Sequence, residues 1–451
     1  MTALKPSPAR QFLRSSGTMV ALYAGATGLT FAVGVLLAQM LGPRGYGFYA
    51  LAMTTGTLVG LVTEFGLPVL AMRETGAARV SGDWGRLRGL LHWADRTVLA
   101  LSALLIVATL AGYSLFQPAG GSAYLGTLIW AVAMVPFVAI AKLRSFVLIA
   151  LDHVLASQAP TMILRPLLFL AGCGLWLWWT GGLQPQAAMA AQTIGAVLAL
   201  GLIAVLYRRS KPAELRQARP EYAVRYWLAA CVPMGMTEGL RLLQGQLALL
   251  LVGALAGAAQ AGIYRVADSA AAITAMTASV VGTAATPMFS RLWGEQDSAG
   301  LQRVAILAAW SMAFGALALG LPLALFGHWL FPLVFGMEYG ASVPVFVVLW
   351  LGAIGFGCCG LALALATMTG HHVLGTHSLL VVAAVNLVLG LVLVPQLGAM
   401  GGALAAVAGT VAGNGWCAWQ LRRRIGINPT LFSRTALHIL HESVQYGLLR
   451  P

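Results

Sequence analysis

Between Gly47 and Met72 the chain carries a single charged residue, Glu64. A helix of roughly 20 residues crosses the hydrocarbon of a bilayer, so a run of this length and apolarity constrains the fold more than any motif. Similar runs recur along all 451 residues, of which 59% are hydrophobic and 9% charged. A soluble domain carries about 25% charged residues, so an ordinary soluble enzyme is excluded and an all-α polytopic membrane protein is predicted. The 53 glycines fit helices that approach closely in lipid. A net charge of +14 would suit a nucleic-acid binder, but the basic residues lie between apolar runs, where they set topology.

Ahead of this run, Gly42, Pro43, Gly45 and Gly47 predict a tight turn, with Tyr46 and Tyr49 anchoring a helix end among lipid headgroups. Residues 47–72 then read as one whole helix. Arg73 and Glu74 open a loop carrying Arg79, Arg86 and Arg88. The block returns later in the chain: Gly257, Gly262, Ile263, Tyr264, Val266 and Ala267 match Gly42, Gly47, Phe48, Tyr49, Leu51 and Ala52 at an offset of 215 residues. Such a repeat implies two equivalent halves.

Hydropathy predicts about 12 transmembrane helices, at 17–40, 47–72, 91–116, 124–148, 157–179, 186–207, 227–253, 261–288, 304–330, 342–369, 373–394 and 399–420. With the N-terminus inside, 23 of the 27 Lys and Arg fall on the cytoplasmic side, which predicts cytoplasmic termini by the positive-inside rule. The expected organisation is a tail at 1–16, an N-lobe at 17–207, a cytoplasmic linker at 208–226, a C-lobe at 227–420 and a basic tail at 421–451. Two six-helix lobes related by an axis along the membrane normal would enclose a central cavity. The linker, RRSKPAELRQARPEYAVR, reads as a connection and nothing more. From Pro429 to Leu449, Phe432, Ala436, Leu440 and Val444 recur every four residues, the pattern of an amphipathic helix on the membrane surface, with a disordered tail as the alternative.

Lys5, Arg10 and Arg14 ahead of an apolar run mimic a signal peptide, but the run from Met19 to Met40 is too long and lacks a small-residue cleavage pattern, so it reads as the first helix. Cys173, Cys231, Cys358, Cys359 and Cys417 lie in or beside apolar runs and read as packing thiols. His371, His372 and His377 have no Cys, Asp or Glu nearby to complete a metal site. No motif calls for a cofactor. Pro68, Pro136, Pro166, Pro233, Pro287, Pro322 and Pro344 are candidate hinges or packing features. GxxxG pairs at Gly253/Gly257, Gly398/Gly402 and Gly409/Gly413 predict close helix contacts.

Four stretches carry a family resemblance: LGPRGYGFYALA with EFGL and RE in 41–74, GIYRVA with PMFSRLW in 262–293, FGMEYGASVPVFVVLW in 335–350, and NLVLGLVLVPQLGAMGGALAA in 386–406. In their order and spacing the chain resembles the polysaccharide-biosynthesis branch of the multidrug/oligosaccharidyl-lipid/polysaccharide (MOP) exporter superfamily, the Wzx-type flippases of lipid-linked oligosaccharides. The resemblance extends to about residue 424. It implies a V-shaped bundle of two six-helix lobes, alternating access, and a sugar or oligosaccharide on a polyprenyl diphosphate as substrate. It also implies a bacterial inner-membrane location and the polymerase and chain-length machinery as partners. Arg265 stands where many relatives would carry a small or polar residue, so no role passes to it from the family.

Ionisable side chains inside spans cost roughly 2.5–3.5 kcal/mol each and mark cavities or partners. Six are read here: Glu64, Arg165, Glu238, Arg241, Arg265 and Asp268. Glu238 with Arg241, and Arg265 with Asp268, are spaced to pair along one helix face. They either hold spans together or line the route of a diphosphate, whose oxygens an arginine binds bidentately. Arg165 has no acid within a turn, lies near the middle of its span, and is followed by Pro166, which makes it the leading anion-binding candidate. Glu64, Glu238 and Asp268 are the candidates for ion or proton coupling. For Glu64 the simpler reading is a helix-end acid bonded to local backbone or to Arg73. Asp95 and Arg96 read as interfacial.

The resulting expectation is a flippase, which breaks no bond and needs no nucleophile. Alternatives are an ion-coupled multidrug antiporter on the same fold, a membrane glycan polymerase or ligase, and a non-transporting scaffold. The short, nearly uncharged external connections argue against the polymerase.

Overall fold

The computed structural model describes residues 8–116 and 121–431. Among these the chain is helical throughout, with no strand. Ten helices are long and apolar enough to cross a membrane, and the chain is an all-α polytopic membrane protein. The first of the ten, Gly25–Glu64, covers 40 residues because two expected spans run together across a kink at Gly42 (φ 63°, ψ 174°). The last helix, Ala399–Ile425, stands outside the ten. It is rich in Gly and Ala and ends in three arginines.

Two local expectations are corrected here. The turn predicted at 42–47 is a kink at one residue, since Gly42 takes the left-handed φ and Pro43 is tolerated in the first turn that follows. Residues 47–72 are not one helix: the chain breaks at Phe65 (φ 30°) and Gly66 (φ 79°), and Pro68 sits in the first turn of the next helix, Leu67–Ser81. Pro136 and Pro166 likewise open helices, Val135–Ala150 and Arg165–Thr180, where the missing N–H is no loss. Pro233, Pro287 and Pro322 lie within helices.

The chain forms two compact units, Met1–Leu41 with Ala52–Gly239, and Gly42–Leu51 with Leu240–Pro451. Helix Val224–Ala256 therefore contributes to both.

In the first unit, Val135–Ala150 packs against Leu67–Ser81 and Pro185–Ser210, and the latter also receives Gly121–Ala133 and Arg165–Thr180. Leu70, Leu87, Leu90, Leu143, Leu148 and Trp227 are buried in its core. The connection 208–225, expected to be a plain linker, is docked instead. Its backbone pairs through Glu221 N–H to the Gly85 carbonyl (3.0 Å), and Arg88 Nη1 donates to the Arg216 and Ala218 carbonyls at 2.7 and 2.6 Å.

In the second unit, Ala258–Gly294 packs against Ser298–Leu325 and Ser342–Cys359, and His372–Leu397 lies along Ala399–Ile425. The glycines at 409 and 413 let the last two helices touch through their backbones. A Cβ on either would stand 2.7 Å from a carbonyl oxygen, of Val382 or Ser378, and Ser378 Oγ donates to the Gly413 carbonyl (2.9 Å).

The internal repeat is also physical within this unit. Gly257 (φ 87°, ψ 173°) repeats the backbone of Gly42. A Cβ on Gly47 would lie 1.7 Å from the Ala258 carbonyl oxygen, and one on Gly262 would lie 2.0 Å from that of Pro43. Each helix start thus rests on the equivalent residues of the other. The predicted amphipathic segment lies beyond Leu431, outside the described residues.

Candidate functional site

The intramembrane charges fall into separate groups within each unit. Glu64 ends its helix, and Thr63 beside it turns its hydroxyl back to the Val59 carbonyl (2.9 Å). The carboxylate is buried and takes Lys142 Nζ at 2.6 Å. This corrects the expected pairing with Arg73, whose partners are Glu74 (2.8 Å) and the Tyr226 hydroxyl (3.0 Å). Lys142 lies inside Val135–Ala150. Its ammonium reaches Glu64 across 78 residues of sequence, which no local spacing signals. Glu238 is near enough to act on Glu64 as a like charge.

The same helix carries a second pair missed by sequence reasoning. Arg144 donates to Asp95 and stacks over the Tyr207 ring, 4.8 Å from its centroid. Asp95 is therefore a helix-packing acid more than a solvated interfacial one.

Arg165 begins helix Arg165–Thr180 directly after a π-helical turn at Pro160–Leu164, and its N–H bonds back to the Pro160 carbonyl. A π-turn adds one residue to the local repeat and re-aims the side chains beyond it; such turns are frequent at functional sites. The guanidinium Nη2 points at the Met134 thioether, 3.0 Å away. A thioether is a weak acceptor.

In the second unit Arg265 Nη1 and Asp268 Oδ2 lie 3.0 Å apart along one helix, as their spacing predicted, with 38% and 42% of their side-chain surfaces open. Asp268 lines a cavity of about 360 Å³ whose walls are otherwise small or apolar, among them Ala271, Ala275, Gly352, Phe356 and Ala406. The hydroxyls of Thr274 and Thr277 on this wall are turned to backbone carbonyls of their own helix. The cavity thus offers one carboxylate on an apolar lining. Arg241 is exposed on Val224–Ala256, and Glu238 on the same helix is partly buried.

His371 contacts Thr369 Oγ1 (3.2 Å) and the Trp293 ring, while His377 meets Trp416 edge-on. Among the described residues, no three His, Cys, Asp or Glu come together.

Membrane-spanning helices packed into two compact units make up the fold. The solved structures similar to the chain have this fold. An inward-facing multidrug-resistance MATE-family transporter of the MOP superfamily aligns over 89% of this chain and 94% of its own, at 15% identity and a TM-score of 0.74. The lipid II flippase MurJ in an inward closed conformation aligns over 96% and 93%, at 13% identity and a TM-score of 0.66. A MOP-superfamily transporter from Pyrococcus furiosus, described as having a binding pocket of reversed polarity, aligns over 91% and 92%, at 16% identity and 0.54. No curated protein matches the chain. The model of the polysaccharide biosynthesis protein family matches residues 12–293. The chain belongs to that family.

Proposed function

We propose that the protein is a flippase that carries a polyprenyl-diphosphate-linked oligosaccharide from the cytoplasmic to the outer leaflet of a bacterial inner membrane, by alternating access, for polysaccharide assembly. The observation that carries this reading is membership of a polysaccharide-biosynthesis family on a transporter fold. Both termini are cytoplasmic in this reading, and a polysaccharide polymerase with its chain-length machinery acts on the delivered product.

Arg165 is the first residue assigned to the diphosphate, because it lies in mid-span with Pro166 after it. Arg241 and Arg265 follow; Arg265 can bind anion only by loosening its bond to Asp268. Glu64, Glu238 and Asp268 are assigned to coupling. Charge-assisted hydrogen bonds contribute about 1.5–3 kcal/mol, so Arg165→Ala is expected to lower glycolipid translocation by about tenfold to a hundredfold with protein level unchanged. Full transport by that variant removes the assignment.

The decisive experiment on the function is a deletion strain, scored for the leaflet holding its polyprenyl-linked glycans, for surface polymer, and for drug sensitivity. Glycolipid stranded on the cytoplasmic leaflet with surface polymer lost supports the flippase. A normal glycolipid distribution with heightened sensitivity to cationic drugs overturns it in favour of a multidrug antiporter, the reading that the carboxylate in the apolar cavity favours.

A further inference from the structure

One end of the first unit gathers more positive charge than its acids neutralise. Arg88, His92 and Arg96 recur every four residues on one face of Trp84–Phe116. Arg144 comes from Val135–Ala150, and Lys211 and Arg216 follow the end of Pro185–Ser210. The Tyr207 ring lies between them, 4.8 Å from the Arg144 guanidinium and 5.9 Å from Lys211 Nζ. Arg88, Arg144 and Arg216 all act on Lys211, and burial with these three cations pushes its ammonium below the usual lysine range. Arg88, Lys211 and Arg96 act on His92.

The carboxylate in the group is Asp95, already hydrogen-bonded by Arg144. Arg88 Nε is buried with no hydrogen-bond partner, although Nη1 holds the strap. Like charges drawn together at this density are unfavourable unless an anion joins them.

Two features indicate what the anion is. The cluster sits where one span begins and two others end, and the ends of spans lie among lipid headgroups. Beyond Arg96 the same helix face continues as Leu99 and Val107, both more than half exposed. From Arg96 to Val107 is roughly 16 Å at 1.5 Å per residue, a track for an acyl chain directly beneath the charges.

We propose that Arg88, Arg96 and Lys211 bind the phosphate of an anionic phospholipid in the leaflet on the side where the basic loops concentrate, with its acyl chain along Leu99 and Val107. Basic pockets between spanning helices bind anionic headgroups, and each Lys or Arg near the surface is worth about fivefold in affinity.

The test uses the full purified chain in detergent, with thermal stability titrated against phosphatidylglycerol, phosphatidylcholine and inorganic phosphate. Phosphatidylglycerol is expected to raise Tm beyond phosphatidylcholine. Lys211→Gln and Arg96→Gln should each weaken that preference about fivefold. A control of equal charge loss, Arg291→Gln with Arg303→Gln, should keep it. A preference that survives when Lys211→Gln is combined with Arg96→Gln, or falls equally in the control, overturns the site, and inorganic phosphate acting as well as the lipid overturns the lipid assignment. Should Lys211→Gln fail to fold, Arg96→Gln at an exposed position carries the test.

Discussion

Gly262→Val is expected to abolish the folded protein, with the variant lost from the monodisperse detergent-solubilised fraction or its Tm lowered by more than 10 °C, about 3 kcal/mol or more. The Cβ alone would stand 2.0 Å from the Pro43 carbonyl oxygen and 3.2 Å from Gly47 N. Both are backbone atoms inside helices, so neither can rotate away as a flexible side chain would. Gly47→Val meets the same obstacle in mirror form, 1.7 Å from the Ala258 carbonyl, and should fail as severely. The two contacts are one interface, so the double variant should cost much less than the sum of the singles. Gly245→Val serves as the control: it too lies inside a helix, yet its Cβ meets nothing within 4 Å, and its effect should stay within about 1 kcal/mol. A Gly262→Val protein as stable as that control would refute the contact.

That interface explains why the repeat could be read from sequence at all. At Gly42 and Gly257 a left-handed φ selects glycine, and at Gly47 and Gly262 backbone proximity does. Backbone requirements leave a residue-type signature at a fixed spacing, so an offset of 215 residues survives where the surrounding side chains have diverged. The long apolar spans were legible for the same reason: the bilayer imposes a length and a polarity on each.

What the sequence did not disclose depends on contacts between distant segments. The break at Phe65–Gly66 is hidden because hydropathy is continuous across it, although Pro68 marks the restart. The docking of the 208–225 connection is made by Arg88, 128 and 130 residues away from the carbonyls it holds. Among the candidate site residues, the Arg265–Asp268 pair follows from helical spacing alone. The setting of Arg165 does not, since its Met134 neighbour lies between helices Gly121–Ala133 and Val135–Ala150 and the π-turn ahead of it has no sequence marker beyond Pro160. The Lys142–Glu64 pair is hidden too: a lysine near the end of an apolar run looks like the run's boundary, whereas its long stem carries the charge back to a buried acid.

That last pair separates a structural from a functional reading of Glu64. Lys142→Met leaves a buried carboxylate with Glu238 as a like-charged neighbour. Removing one partner of a buried pair costs 3–5 kcal/mol, and since Lys142 keeps 33% of its side-chain surface open while Glu64 keeps 10%, about 3 kcal/mol is expected. Glu64→Gln should cost less, about 1 kcal/mol, because the freed lysine can turn towards the membrane surface. Glu64→Gln with Lys142→Met should regain most of the loss, as neutral replacement of a buried pair commonly does. Equal and additive single effects in detergent-solubilised protein would mean that the two groups do not interact. The stability-restored double variant then becomes the tool for function. If it supports surface polysaccharide in a deletion strain at the wild-type level, the pair holds helices together and coupling must rest on Glu238 or Asp268. If it is folded, present in the membrane and inactive, the carboxylate itself takes part in the transport cycle, with Lys142 as the group that a passing cation must displace.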